Sequence, residues 1–222
     1  MIKFSYMESF YNKKVSRYVP SPNITPMEAT DWSEFANQLK ELQDIQYNSK
    51  ELAPLISPAF YNNVLRRKNI NVSGWSFLAL DFDNGRELTF DDAVCWIQSL
   101  GYSYVAYTTA SSRTDHHKFR ILIPFNRNVD PEDMDKVWQG GFEYFGRLTD
   151  ATCKDKSRGY YVPGTYPDAY TDFDWGIGDP IDVDTLKSYA PVTPPKLPVS
   201  QTRFTDYGLV FSWSSIHDCP FV

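Results

Sequence analysis

Trp75-Ser-Phe-Leu-Ala-Leu-Asp-Phe-Asp-Asn-Gly85 is the stretch from which the rest of the chain can be read. It opens as an apolar run of strand length, reaches two carboxylates one residue apart, and stops at Asn84-Gly85, a strong turn signal. Side chains alternate along a strand, so Asp81 and Asp83 are expected on one face, with Leu80 and Phe82 on the other. The two acids then lie about 6.6 Å apart and repel each other. Two readings fit this pattern. Either both are solvated acids flanking a turn, or they form a hard-cation site, because Mg²⁺ takes one or two protein carboxylates and completes its sphere with water and substrate phosphates. An Asp-x-Asp by itself does not choose between them.

Outward from this strand the chain alternates helix and strand. Pro20, Pro22 and Pro26 break residues 1–30 into irregular pieces with one short strand at most. Asp31, with Glu34 three residues on, marks a helix start, and Trp32, Phe35, Leu39 and Leu42 predict one apolar helix face. The part up to about residue 70 is therefore expected to be helical. Downstream, Thr89 and Asp92 open a second helix that buries Phe90, Val94, Ile97 and Leu100, and Gly101 is placed to end it. Tyr104 to Thr109 and Lys118 to Pro124 read as strands. The second puts Phe119, Ile121 and Ile123 on one face and Lys118, Arg120 and Leu122 on the other. Asp130-Pro131 begins a third helix, weakened in its middle by Gly140-Gly141, and Gly159 to Pro163 is a short last strand. Strand, helix, strand and hairpin in that order predict an α+β fold with helix covering at least one face of the sheet. Beyond Gly164 the chain reads as acidic and loop-rich. Residues 191–198 read as a stiff proline-rich linker, and residues 199–222 as an aromatic tail that either packs on the core or meets a partner.

The 222 residues suffice for a sizeable core. No run approaches the roughly 18 apolar residues of a membrane span, and the N-terminus lacks the apolar stretch of a signal peptide. Cys95, Cys153 and Cys219 are far apart and without metal-ligand spacing, which suits a reduced, cytoplasmic protein. The net charge of −6 is unevenly spread, with eight acidic and three basic residues from Tyr160 onward and near neutrality before it. Bases in the first part come in groups: Arg66-Arg67-Lys68, then Arg113, Lys118 and Arg120, then Lys154, Lys156 and Arg158. Such groups are either solvated surface or local phosphate sites.

Three segments carry chemistry: Asp81 and Asp83; the hairpin with its polar loop 110–117; and Leu148 to Arg158, which adds Asp150 as a third carboxylate. Lys118 and Arg120 on one strand face suit a polyphosphate, Arg as a bidentate fork and Lys as a point charge, or else pair with nearby acids. Three carboxylates beside a cationic strand match metal-dependent nucleotidyl transfer, in which two metals roughly 3.5–4 Å apart serve the attacking and leaving oxygens. Basic side chains then balance the triphosphate.

Leu80-Asp-Phe-Asp83 comes first in the chain. Tyr107-Thr-Thr109 follows, with a serine-rich loop and Lys118-Phe-Arg-Ile-Leu-Ile-Pro124. Asp150, Asp155-Lys-Ser-Arg158 and Tyr160-Tyr-Val-Pro-Gly164 come last. In this order the motifs resemble the archaeo-eukaryotic primase superfamily over roughly residues 50–170, and within it the primase-polymerase domains of phages and plasmids. The resemblance implies an RRM-like catalytic sheet with flanking helices, in a domain over residues 1–190 whose motif core is about 71–170. It implies DNA primase or primase-polymerase activity, making primers from nucleoside triphosphates on a single-stranded DNA template with Mg²⁺ or Mn²⁺. By matching position, Asp81, Asp83 and Asp150 are the implied metal ligands and catalytic carboxylates. Ser111, Ser112, His117, Lys118, Arg120 and Arg158 fall near the implied nucleotide.

One position departs from that pattern. Ser112 stands where the second motif of the superfamily carries a phosphate-contacting histidine. Serine can hydrogen-bond phosphate but brings no charge, so primer synthesis is expected to be weak, altered or lost. A replication-initiation protein that binds DNA or nucleotide without synthesis is the alternative, and a nuclease using the same carboxylates is a third. His116-His117 fit a nickase metal site poorly, because adjacent residues point to opposite sides of an extended chain. The sequence contains no Gly-x-x-x-x-Gly-Lys-Ser/Thr phosphate loop, so a replicative helicase is expected as a separate chain, in the cytoplasm of a bacterial host if the protein is phage-encoded.

Overall fold

The apolar run at Trp75 is a nine-residue strand, Gly74–Phe82, in which Asp81 alone escapes full burial. The computed structural model describes residues 1–62, 66–83 and 88–191. In chain order its elements are β1 (Ile2–Met7), β2 (Ser9–Asn12), β3 (Arg17–Pro20), β4 (Thr25–Ala29), α1 (Trp32–Gln43), β5 (Leu55–Ser57), β6 (Ala59–Phe60) and β7 (Gly74–Phe82). There follow α2 (Phe90–Ser99), β8 (Tyr104–Thr108), β9 (Phe119–Val129), α3 (Met134–Tyr144), β10 (Tyr160–Tyr161), β11 (Phe173–Gly176) and α4 (Val183–Tyr189). The turn expected at Asn84-Gly85, the linker beyond Pro191 and the tail all lie outside the described residues.

A five-stranded sheet has the order β11-β8-β9-β7-β6, and a four-stranded sheet has the order β10-β5-β1-β4. In the first, β9 runs antiparallel to both neighbours, so β7 and β8 are parallel and joined by the α2 crossover. This is the expected RRM-like arrangement of an α+β fold. Period-two alternation gives the sheet two different faces. Leu78, Leu80, Phe82, Ile121 and Ile123 pack beneath α2, α3 and α4. Phe77, Ala79, Val105, Tyr107 and Leu122 pack on the other side against α1 and the four-stranded sheet. Asp81 and Arg120 continue this second face where its apolar lining stops.

The helix-start signals act as read from the sequence. Asp31 accepts from the Glu34 N–H at 2.9 Å and Thr89 from the Asp92 N–H at 3.1 Å, each satisfying an otherwise unpaired donor in the first turn. Gly101, at φ +76°, ends α2 in the left-handed conformation that glycine adopts without strain.

Four expectations need correction. The N-terminal part holds more strand than helix: β1 to β6 flank α1, its only α-helix among the described residues. These strands are two to six residues long, too short for their alternation to register, and Pro26 is tolerated because β4 is a sheet edge. The third helix begins at Met134, with Pro131 in the turn before it. The short last strand expected over Gly159 to Pro163 spans only Tyr160–Tyr161, joins the four-stranded sheet through β5, and is followed by a further strand, β11. Finally, the acidic stretch after Gly164 contains β11, paired to β8, and α4, packed on α3. Its exposed acids hide short apolar anchors, Ile181, Val183 and Leu186.

Candidate active site

Backbone register builds the centre of the site. Asp81 on β7 lies opposite Arg120 on β9, and Arg120 lies opposite Tyr107 on β8, so the three side chains form a row across one sheet face. Arg120 donates to Asp81 Oδ1 at 2.9 Å, and to the Tyr107 hydroxyl and the Tyr161 carbonyl at 3.1 Å each. Its guanidinium also sits 4.6 Å from the centroid of the Tyr160 ring, a cation–π contact. Burial opposes the charge on Arg120, but the Asp81 carboxylate and the Tyr107 hydroxyl outweigh it and hold its pKa above the ordinary value. This is the acid pairing that the sequence had left open, and it occupies the Arg120 fork in this structure.

Asp150 comes from the loop after α3. Its N–H donates to the Asp81 carbonyl at 2.8 Å, which pins that loop to the end of β7. The Asp150 carboxylate accepts from the Thr152 N–H at 2.8 Å and from the Thr152 hydroxyl at 2.7 Å. Partial burial pulls its pKa up, but these donors, the Cys153 thiol and the charge of Arg158 overcome that pull and leave it lowered. Cys153 Sγ is 3.7 Å from Oδ2 of both Asp81 and Asp150. Burial, with the two carboxylates adding to it, pushes this thiol up to about 12, so at neutral pH it donates its proton towards them. One donor atom from each of Asp81, Asp150 and Cys153 lies within 4.8 Å of the others. Asp83 stands outside this cluster, half-exposed and paired with the Lys118 ammonium.

A cleft of about 110 Å³ opens over the row, lined by Asp81, Asp83 and Arg120 together with Ser111, Lys50 and Tyr161. It adjoins a wider space of about 420 Å³ that shares Lys50, Asp81, Arg120 and Tyr161, and adds Arg67 and Arg158. Arg158 is 3.8 Å from Asp155, a loose pairing.

The structure thus gathers Asp81, Asp83, Ser111, Arg120 and Arg158 along one cleft, with Asp150 against Asp81, but it turns Ser112 and His117 elsewhere. Ser112 is fully buried, and its hydroxyl accepts from the Lys118 N–H at 3.1 Å, which closes the hairpin loop from within. His117 accepts from the Phe90 N–H at 3.0 Å through Nδ1 and stacks on Tyr170, so it serves the start of α2. Lys50, Arg67 and Cys153 were not assigned to the site from sequence. Arg67 belongs to a basic triplet and Cys153 follows Asp150 by three residues, both visible signals, whereas Lys50 reaches the cleft purely through tertiary folding.

Among the described residues no helix is long and apolar enough to cross a membrane. The AEP domain of the cyanophage S-2L primase-polymerase superposes with a TM-score of 0.51 at 12% identity, over 86% of this chain and 90% of that one. That likeness is one of fold. A comparison with curated proteins returned no match. Residues 26–192 match the VapE N-terminal domain, and this span includes the Asp81 row, the Asp150 loop and the whole five-stranded sheet. The chain therefore belongs to the VapE N-terminal domain family.

Proposed function

We propose that this domain is a primase-type nucleotidyltransferase that joins nucleoside triphosphates on a single-stranded DNA template. The observation that carries the reading is the meeting of Asp81 and Asp150, with Cys153 between them, at a cleft bordered by cations. Two carboxylates so close repel unless neutralised, and the donors present do only part of that work: Arg120 takes Asp81 Oδ1, Thr152 donates to both Asp150 oxygens without bringing charge, and Asp81 Oδ2 meets only the weak thiol donor of Cys153. The donor set therefore fits a divalent cation, Mg²⁺ or Mn²⁺, held by Asp81 and Asp150, with Asp83 joining if Lys118 releases it. When bound there, such an ion would acidify the attacking hydroxyl and offset phosphate charge.

The protein's own groups divide the remaining tasks. Arg120 orients Asp81 from behind, while Lys50, Arg67 and Arg158 face the space where a triphosphate would lie. Lys118 joins them to the extent that it leaves Asp83. Ser111, at the cleft wall, is the loop residue placed to hydrogen-bond a phosphate, and Ser112 is not.

Incorporation of labelled nucleotide on a single-stranded template with Mg²⁺ or Mn²⁺ tests the reading. Wild-type protein is expected to incorporate, and Asp81→Asn or Asp150→Asn to lose at least 100-fold in rate, about 2.7 kcal/mol of barrier. Retained activity in either variant would sink the carboxylate assignment. A second reading, binding without synthesis, draws on the buried Ser112 and on Arg113 of the same loop, whose guanidinium donates to the Ala110 and Ser112 carbonyls. Wild-type protein that binds template and nucleotide yet incorporates nothing would decide for it.

A further inference from the structure

The hairpin of β2 and β3 buries neither of its faces fully. Every residue from Ser9 to Pro20 is at least partly exposed, with Phe10, Tyr11 and Tyr18 at 42%, 50% and 40%. A two-stranded ribbon without a packed face is marginal in water, and leaving aromatic rings in solvent adds nothing to its stability. Tyr11 lies opposite Tyr18 and their rings meet edge to face at 5.4 Å, while Phe10 points to the other side of the ribbon. The turn adds Lys13 and Lys14, and β3 opens with Arg17. The hairpin thus carries three cations and no acid in a chain of net charge −6. Among the described residues none of the three is in a salt bridge.

Rings in solvent interleaved with cations outside any salt bridge suit one class of partner. A single nucleic-acid strand offers base faces to stack on the rings and phosphates to meet the charges, whereas a duplex hides its base faces. The base of the hairpin also leads to the cleft. The Ser9 hydroxyl donates to the Ala53 carbonyl at 2.8 Å, both strands pack on the turn Lys50–Leu52, and Pro20 lines the same space as Asp81 and Arg158.

We propose that the β2–β3 hairpin is a single-stranded DNA-binding arm that delivers the template to the cleft, an inference that rests on the cleft being a nucleotidyl-transfer site. The test is fluorescence anisotropy of a labelled oligo-dT strand of about 20 nucleotides with the full chain over a range of salt. Two variants are compared with wild type: Lys13→Gln/Lys14→Gln/Arg17→Gln, and Tyr11→Ala/Tyr18→Ala. Each is expected to weaken binding about tenfold. The charge variant should also flatten the slope of log K against log salt by about 2, at roughly 0.7 per lost phosphate contact, and the ring variant should leave it unchanged. Thermal melting checks that the body stays folded. If the ring variant loosens the ribbon, the charge variant decides alone, because its substitutions are exposed and lie at the turn.

Wild-type affinity and slope in the charge variant overturn the arm, as does wild-type protein that binds no single strand or prefers a duplex of equal length. Nucleotide incorporation is measured in parallel. Hairpin-dependent binding without incorporation refutes the transferase reading and leaves the arm standing. Incorporation with hairpin-independent binding does the reverse.

Discussion

Arg120 and Asp81 show how one ion pair can hold a site ready. Their side chains are 8% and 13% exposed, so both charges have left most of their water. The guanidinium recovers this through Asp81, two oxygen acceptors and the Tyr160 ring. Removing one partner strands the other, and Arg120→Met is expected to cost about 3–5 kcal/mol of unfolding free energy. Asp81→Asn keeps an acceptor for Arg120 and should cost nearer 1–2 kcal/mol. Urea denaturation of both singles and the double variant measures this, and the double should cost clearly less than the sum. An Arg120→Met loss below about 1 kcal/mol would show that the pair does not hold the site. This pairing was half legible: the sequence put Lys118 and Arg120 on one strand face, but which acid met which cation depended on a register that no local pattern specifies.

At the scale of elements, Gly140-Gly141 in α3 looks like a defect in a helix and is a packing device. A Cβ at Gly140 would lie 1.7 Å from the Leu186 carbonyl oxygen of α4, and one at Gly141 would press on Leu78 of β7 at 3.3 Å. The glycines give up helix propensity, about 1 kcal/mol each, so that α4 and the sheet can approach α3 closely. Gly140→Ala should therefore destabilise by about 2–3 kcal/mol despite the better helix former, because α4 must move. Thermal and chemical melts check this, and a neutral or stabilising result would mean that α4 does not sit against Gly140. The strength of the α2 signal and the weakness of those for β1 to β6 have a similar origin. A ten-residue helix repeats its pattern often enough to be read, and a four-residue strand does not.

Across the whole molecule, the five-stranded sheet carries a core on each face, and many tyrosines lie partly or wholly inside these cores. Burial, the largest cause in each case, raises Tyr61 and Tyr104 to about 12, and Cys153 moves the same way. A raised pKa means that the folded state keeps protons which the unfolded state releases. Stability is thus full below about pH 9 and falls as pH climbs towards 12. The tyrosinate absorbance of Tyr61 and Tyr104 should appear only towards pH 12, together with loss of structure. Their ionisation well below that, with the fold intact, would contradict the burial. The sequence by itself determined the strand at Trp75, the caps of the first two helices, the alternation of β9 and the order of the three motifs, because each is set by neighbours within a few residues. The tertiary structure alone decided that Asp150 and Cys153 meet Asp81 while Asp83 turns to Lys118. It also decided that Ser112 is buried, and that Lys50 and Arg67 border the cleft. Those outcomes depend on which distant strands pair and which loops they carry together, and chain entropy leaves that open until the whole core is packed.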